Sequence, residues 1–352
     1  MSDQPKLYIA GIGMITPVGA NTAMTAAAVR AGVSAFQPTG FYLDDDNYVR
    51  MARVPREALD VSLNNDLPED FTARQIRLMQ LATLALVQIK PALPKNQKIP
   101  LFIAGPEQLI EGDQPMNGAF LENLSKQTGI NFDLPLSRVI STGRAGGLAV
   151  FNLAFRYLAS SNENFVVVAG VDTFYDGQIL QQLLQDDRLL VGGNMDGFIP
   201  GEGAAFLLLS RHQIPQAKDN VRTVTLCDPG LGNEPGHRES QEPYRGDGLA
   251  AAVAKALGNS KTAKIKTLYS SMNGEHFFAK EHGVALLRNG HLLEENMKIE
   301  HPADCFGDLG AAFGPVMTGI ISVHLMNNHA ASPCMVCCSS DKAPRAAMVM
   351  HA

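Results

Sequence analysis

The seven residues Ser141-Thr142-Gly143-Arg144-Ala145-Gly146-Gly147 are where this 352-residue chain comes closest to reactive chemistry. Just before them, residues 138–141 form a short apolar run that reads as a strand. After them, Val150, Leu153, Ala154, Tyr157 and Leu158 recur at i, i+3 and i+4 and read as the buried face of a helix. A strand that turns through small residues into a helix leaves backbone N–H groups unpaired at the helix start. These favour negative charge and lower the pKa of a thiol. The setting suits a nucleophile, but position 144 carries arginine, which stays protonated and attacks nothing. No cysteine precedes Cys227, so a small change of register supplies none. Ser141 and Thr142 are the hydroxyls at the elbow. A serine nucleophile needs a positioned base, and residues 1–211 contain no histidine. Both hydroxyls read as turn and cap residues.

The elements around the elbow follow a simple alternation. Residues 7–15, 101–104, 138–141, 165–169 and 204–209 read as strands buried on both faces, being aliphatic and bounded by Gly, Pro and Asn. Helical spacing covers 22–30, 73–87, 118–126, 145–159 and 177–184. The second half repeats the theme, with strands at 223–227, 267–271, 335–339 and 346–350 and helices at 249–257, 277–287 and 310–326. Alternating strands and helices imply a layered α/β protein. A polar segment at 213–220 marks the expected boundary, giving halves 1–215 and 220–352. Residues 230–248, rich in Gly, Pro, Glu and Arg, read as a surface loop.

Composition excludes several classes. The chain is 45% hydrophobic and 18% charged, which allows a large core and argues against disorder. A net charge of −6 with no long basic run argues against nucleic-acid binding. No apolar run is long enough to span a bilayer, and none follows a basic N-terminal stretch, so a cytoplasmic protein is expected. The five cysteines all lie in the second half, an odd count that does not read as a disulfide framework. Cys334, Cys337 and Cys338 sit on an apolar strand candidate with no second Cys or His pair at ligand spacing. They read as buried side chains and not as metal ligands. Gly11-Ile12-Gly13 follows a strand without completing a dinucleotide fingerprint. The run 44–46 reads as a solvated acidic loop. No cofactor is expected.

Residues 6–36, 140–173 and 196–210 together resemble the β-ketoacyl-acyl-carrier-protein synthases of the thiolase superfamily. The resemblance implies two similar βαβαβαββ halves in an αβαβα layered arrangement. It places the family's nucleophilic cysteine at Arg144. Of the family's two histidines, one falls on Asn273, in Ser270-Ser271-Met272-Asn273-Gly274-Glu275. The other falls on Asp308, in Phe306-Gly307-Asp308-Leu309-Gly310-Ala311-Ala312, one residue short of the family pattern. The glycine-rich loop that shapes the acyl pocket corresponds to Ser339-Ser340-Asp341-Lys342-Ala343-Pro344. By contrast, Gly197, Phe198, Gly201, Glu202 and Gly203 keep the family's architectural D-G-F-x-x-G-E-G pattern. Retained structural residues beside four altered chemical motifs imply a retained scaffold with vestigial catalytic positions at Arg144, Asn273 and Asp308. A buried Arg144 needs a carboxylate partner, and Asp308 is the expected one.

The resemblance implies a homodimer or a heterodimer through the first-half sheet. The expected role is a non-catalytic interaction partner, adaptor or scaffold. Two settings suit it: pairing with an active ketosynthase, as a chain length factor does, or an accessory place in a bacterial biosynthetic or type VI secretion effector locus. The alternative is an enzyme or binding protein for acyl thioesters of carrier protein or coenzyme A, with His276 or Asp308 as the base. His276 lies three residues from Asn273, and His301 reads as an ordinary exposed histidine.

Overall fold

A computed structural model describes residues 5–352 except 45–46, 65–67, 69–70, 96 and 215–221. The first half contains β1 (Lys6–Ile15), α1 (Thr22–Arg30), the hairpin β2 (Phe36–Asp44) and β3 (Asn47–Ala52), α2 (Ala73–Ile89), β4 (Leu101–Ala104), α3 (Gly118–Thr128), β5 (Arg138–Ile140), α4 (Gly143–Ser160), β6 (Phe165–Thr173), α5 (Gly177–Gln185) and β7 (Glu202–Ser210). The second contains β8 (Thr225–Cys227), β9 (Gly230–Asn233), α6 (Asp247–Ser260), β10 (Ile265–Ser270), α7 (His276–Asn289), β11 (Leu293–Glu300), α8 (Ala303–Phe306), α9 (Phe313–Met326), β12 (Cys334–Ser339) and β13 (Pro344–His351).

Strand order shows an internal duplication. The first half runs β5-β4-β6-β7-β1 and the second runs β11-β10-β12-β13-β9. In each, the two pairs at the outer edge are parallel and the next two are antiparallel. Both halves follow the chain order β-α-β-α-β-α-β-β once α1, the hairpin, α5, β8 and α8 are set aside. Strand β8 pairs with both β1 and β13, joining the halves into one sheet of eleven strands. The boundary expected at 213–220 lies, from residue 215 on, outside the described residues, as do residues 45–46 of the acidic run.

Alternate strand residues feed different layers, as a two-residue period requires. Val167 and Phe206 pack outward against Leu78, Ala82 and Phe120 of α2 and α3. Val168 and Leu207 face inward, towards Leu148 and Phe151 of α4 and Val316 and Ile320 of α9. Across that layer, Val336 and Met348 close the central core, while Met335 and Val349 face Leu249 and Val253 of α6. Five layers result: helices, half-sheet, the α4–α9 pair, half-sheet, helices. The central helices cross with almost no gap. A Cβ on Gly147 would lie 2.7 Å from the Ala311 carbonyl oxygen, and one on Gly314 would lie 2.6 Å from the Gly147 backbone. This crossing brings the start of α4 beside residues 308–312.

Three strand groups were not legible in the sequence. Residues 230–233, expected in a surface loop, pair with β13 as β9. Strand β11, Leu-Glu-Glu-Asn-Met-Lys-Ile-Glu, is an edge strand whose charged, mostly exposed side chains hide its period. The β2–β3 hairpin forms a separate two-stranded sheet.

Candidate functional site

Helix α4 begins two residues earlier than its apolar spacing suggests. Gly143 takes φ 62°, where a side chain would be strained and would meet the Glu107 carboxylate at 2.5 Å. Arg144 is thereby wound into the first turn, 3% exposed, where its charge opposes the helix dipole. Thr142 makes no side-chain cap. Instead the Ala145 N–H donates to Ser340 Oγ at 3.0 Å, and that hydroxyl donates to the Thr142 carbonyl. A serine from the β12–β13 loop thus occupies backbone polarity that would otherwise favour a thiolate or an oxyanion.

The Arg144 guanidinium points into the interior and is matched there. Its Nε lies 2.8 and 3.0 Å from the two Asp308 carboxylate oxygens, and Nη2 bonds the same group. Nη1 donates to Asp341 Oδ1 at 2.9 Å and to the Ser339 carbonyl at 3.2 Å. Asp341 also pairs with Arg188 at 2.7 and 2.9 Å. Arg188 grips Glu275 with two bonds of 2.9 and 2.8 Å. Asn273 Nδ2 donates to Glu275 at 3.0 Å and to Asp308 at 2.9 Å, which closes a ring. Arg238 adds a contact to Glu275 at 3.2 Å. Three guanidiniums therefore face three carboxylates, and Asn273 separates the two acids that would otherwise repel. The ring joins the two halves: Arg144 and Arg188 come from the first, Asn273, Glu275, Asp308 and Asp341 from the second. Phe278 lies under Arg144 with 4.9 Å from ring centre to guanidinium, and Phe198 lies under Arg188 at 5.1 Å.

Burial works against every charge here, and pairing decides the outcome. It lowers the pKa of Arg144, but the Asp308 and Asp341 charges outweigh it and hold the arginine above its ordinary value. Asp341 is penalised by burial too, yet Arg144 and Arg188 keep it well below the carboxylate range. Glu107 lacks such support. Burial, with the Asp341 charge beside it, pushes Glu107 up to about 7, although it accepts the Asp341 and Lys342 N–H groups at 3.0 Å each. Burial likewise raises Asp172 to about 6 despite Arg74 nearby. Glu107, Asp172, Arg144 and Asp341 surround an inner cavity of about 10 Å³, roughly the room one water needs.

Outside the ring lies a cleft of about 580 Å³ lined by Gln108, Leu109, Arg188, Arg238, Glu239 and Lys342, among others. Arg188 forms part of its inner wall, and the Arg188–Asp341 pair stands between it and the inner cavity. The arrangement can hold charge and order two halves.

The expected site residues fall into two groups. Arg144, Asn273 and Asp308 converge. His276 does not: its side chain is 82% exposed and faces Asp196, with Nδ1 to Oδ1 3.0 Å. His301 is exposed. The glycine-rich motif is architectural. Buried Glu202 accepts from Val54 N–H at 2.8 Å, Thr173 Oγ1 at 2.8 Å and Arg77 Nε at 2.9 Å. Gly201 and Ile199 bond the Asp308 backbone on either side, so this segment fixes where Asp308 sits. All five cysteines are free and buried. Sequence reasoning missed Arg188, Glu275, Arg238 and Glu107 and did not pair Asp341. One signal was present: Glu275 and Asp341 bring charge to segments that also hold Asn273 and the altered loop.

No family model matches the chain, and no curated protein matches it in sequence. Solved structures do match in fold. A chain of the ishigamide ketosynthase/chain length factor superposes with TM-score 0.73 at 16% identity, covering 99% of each chain. A chain of a ketosynthase in complex with its chain length factor from Xenorhabdus doucetiae gives 0.74 at 16% over 100% of each. A chain of the structure of a type II polyketide acyl-carrier protein in complex with its ketosynthase bound to the hexaketide gives 0.70 at 14%, covering 99% of this chain and 100% of that one. The protein has the thiolase-like fold of ketosynthases and chain length factors.

Proposed function

We propose that this chain is a non-catalytic ketosynthase-fold subunit whose work is to bind another protein. One observation carries the reading: the Arg144 guanidinium, matched by Asp308 and Asp341, fills the place where the resemblance puts a reactive cysteine. An acyl thioester entering that space would have to break a charge-balanced buried ring. Removing one partner of a single buried pair typically costs about 3–5 kcal/mol, a cost that any thioester bound there would have to offset.

Among the two settings that suit such a subunit, the neighbours' ketosynthase and chain length factor complexes favour pairing with an active ketosynthase over an adaptor role at a type VI secretion locus. The expected interface is the open edge of the sheet at β5, a three-residue strand at the end of the strand order with exposed Leu136 just before it. A carrier protein would then reach the complex through the partner's active site.

The test has two arms. The purified chain is incubated with acetyl and malonyl thioesters of coenzyme A and of carrier protein, and intact mass and carbon dioxide release are followed. Neither an acyl adduct nor decarboxylation is expected. The same chain is co-expressed with ketosynthases from its genomic neighbourhood, and a 1:1 complex is expected by native mass spectrometry. A covalent acyl adduct, or turnover above a no-protein control, would sink the non-catalytic reading.

A further inference from the structure

His324 is a buried titratable residue that the Arg144 ring does not use. It lies in the last turn of α9, 6% exposed, where that helix packs against α1. Both nitrogens of its imidazole are engaged. Nε2 lies 3.1 Å from the Ala26 carbonyl oxygen of α1, and Nδ1 lies 3.1 Å from the Tyr269 hydroxyl of β10. Tyr269 is 1% exposed, and its hydroxyl makes no second hydrogen bond among the described residues. The charged or titratable groups facing the pair are few. The His329 ring packs edge-on to His324 at 6.1 Å between centres, Arg30 ends α1, Glu300 ends β11, and Cys334 stands beside Tyr269.

These contacts place the protons. A carbonyl oxygen only accepts, so Nε2 carries hydrogen. In the neutral ring Nδ1 is then bare, and the Tyr269 O–H donates to it. Imidazolium carries hydrogen on Nδ1 too. The Tyr269 oxygen would then have to accept, and the hydroxyl proton would be left in the interior without an acceptor. Burial also opposes the charge and lowers the pKa of His324. His329 and Arg30 act in the same direction, against the Ala26 carbonyl and Glu300. The docked helix therefore binds this proton less tightly than an undocked one, so its hold is complete above the ordinary histidine value and weakens as pH falls. Of the three elements that meet here, α1 yields most readily. Its only buried residues are Thr25 and Ala26, whereas β10 is paired on both sides and α9 is almost wholly buried.

We propose that His324 is an acid-sensitive joint: neutral and protonated on Nε2, it fastens α1 and β10 to α9, and a second proton releases α1. Beyond α1 the chain is tied down again, where the Ala35 N–H donates to the Cys305 carbonyl at 2.9 Å. Loosening is expected to stop at that tie and to leave the β2–β3 hairpin in place. The joint shares no residue with the Arg144 ring, so it acts whether or not the ring ever meets a ligand.

The test has two readouts on the full chain. Imidazole nitrogen NMR of the histidine-labelled protein reports the tautomer and titration of His324, whose signal is identified by its loss in His324→Gln. Hydrogen on Nε2 at neutral pH is expected, with half-titration below about 6.5. Amide hydrogen exchange of residues 22–30, corrected for the intrinsic rate, is compared at about pH 7.5 and about pH 5. Acid is expected to raise it at least about fivefold, the effect of one unpartnered buried donor. Residues 36–44 are expected to change by less than about twofold. His324→Gln offers an amide donor to the Ala26 carbonyl but does not titrate, and it should abolish the rise. His329→Asn should keep it. Tyr269→Phe removes the donor to Nδ1, so His324 should titrate at higher pH than in the wild type. Hydrogen on Nδ1 at neutral pH overturns the proposal, as does a rise that survives in His324→Gln or vanishes in His329→Asn. If the variants do not fold, the wild-type exchange profile decides: no rise in residues 22–30 overturns the proposal.

Discussion

Removing the Arg144 charge should cost stability in a way that depends on Asp308. Arg144→Met keeps much of the aliphatic volume and deletes every polar bond of the side chain. Asp341 survives the change, since Arg188 still donates to both its oxygens. Asp308 does not: it keeps the Asn273 amide at 2.9 Å and the Gly310 N–H at 2.8 Å but loses its only described counter-charge. Truncating one side of a buried pair costs about 3–5 kcal/mol, and the surviving bonds place this case near about 3 kcal/mol. Asp308→Asn alone leaves Arg144 sharing Asp341 with Arg188, a loss of about 2 kcal/mol for charged hydrogen bonds. In the double variant the carboxamide is neutral and still accepts from Gly310, so the uncompensated charge is gone. The double variant should then be more stable than the sum of the two losses by about 2 kcal/mol. A chain of this length has an unfolding entropy of about 0.7 kcal/mol/K, so Arg144→Met should lower Tm by about 4 °C. Thermal melts and urea midpoints of the four proteins measure the cycle. Additivity within about 0.5 kcal/mol would refute the idea that Arg144 and Asp308 form the pair that closes the site.

The pH profile offers a second check. Glu107 is raised from 4.5 to about 7, so the folded state binds its proton more tightly than the unfolded state. The stability it contributes is complete below about 4.5 and disappears as pH rises through about 7. The Tm of Glu107→Gln relative to wild type should therefore rise between about pH 4.5 and about pH 8, and a flat difference would contradict the assignment. Arg144→Cys should not gain condensing activity. The new thiol would face Asp308 and Asp341, and its pKa should stand above the ordinary value, read as alkylation by iodoacetamide that needs alkaline pH. The native cysteines should resist a thiol probe until the protein unfolds, because burial pushes Cys334 and Cys337 up to about 12 and Cys227 up to about 11. Rapid labelling of the native protein would contradict their burial.

Most of the fold was legible because its strands are apolar and its helices periodic. Residues 165–169 of β6 and 204–209 of β7 are all Val, Ala, Leu or Phe, and both faces are covered, as such runs require. Strand β11 was invisible for the opposite reason: it is a sheet edge, where charge is protective and pattern is lost. The site was half legible. Arg144, Asn273 and Asp308 stand where a known pattern has other residues, so their types were conspicuous. Arg188 was not, because a charged residue in Gln185-Asp186-Asp187-Arg188 looks like any solvated helix end. Only the fold shows that its guanidinium turns inward, over Phe198, to meet Glu275 and Asp341.

The ring also constrains how such a site can be assembled. Burying Arg144 alone would leave an unpaired cation, and burying Asp308 alone an unpaired anion, each costly in a dry interior. Position 273 has to supply two donors without adding charge, because Asn273 Nδ2 donates to two carboxylates at once; a neutral histidine could donate to only one, and a protonated one would add a fourth cation. Arg238 completes the balance from the cleft side. The residues at these positions are thus coupled: exchanging any one for its counterpart in an active enzyme leaves a charge or a donor without its partner. On the proposed reading, that coupling is why Arg144→Cys alone should not produce a reactive centre. The guanidinium is held by two acids from the opposite half of the chain, so the contacts that fill this space also hold α4 and the β12–β13 loop together. Such paired burial makes the centre of the fold rigid, which would suit the proposed role at the surface.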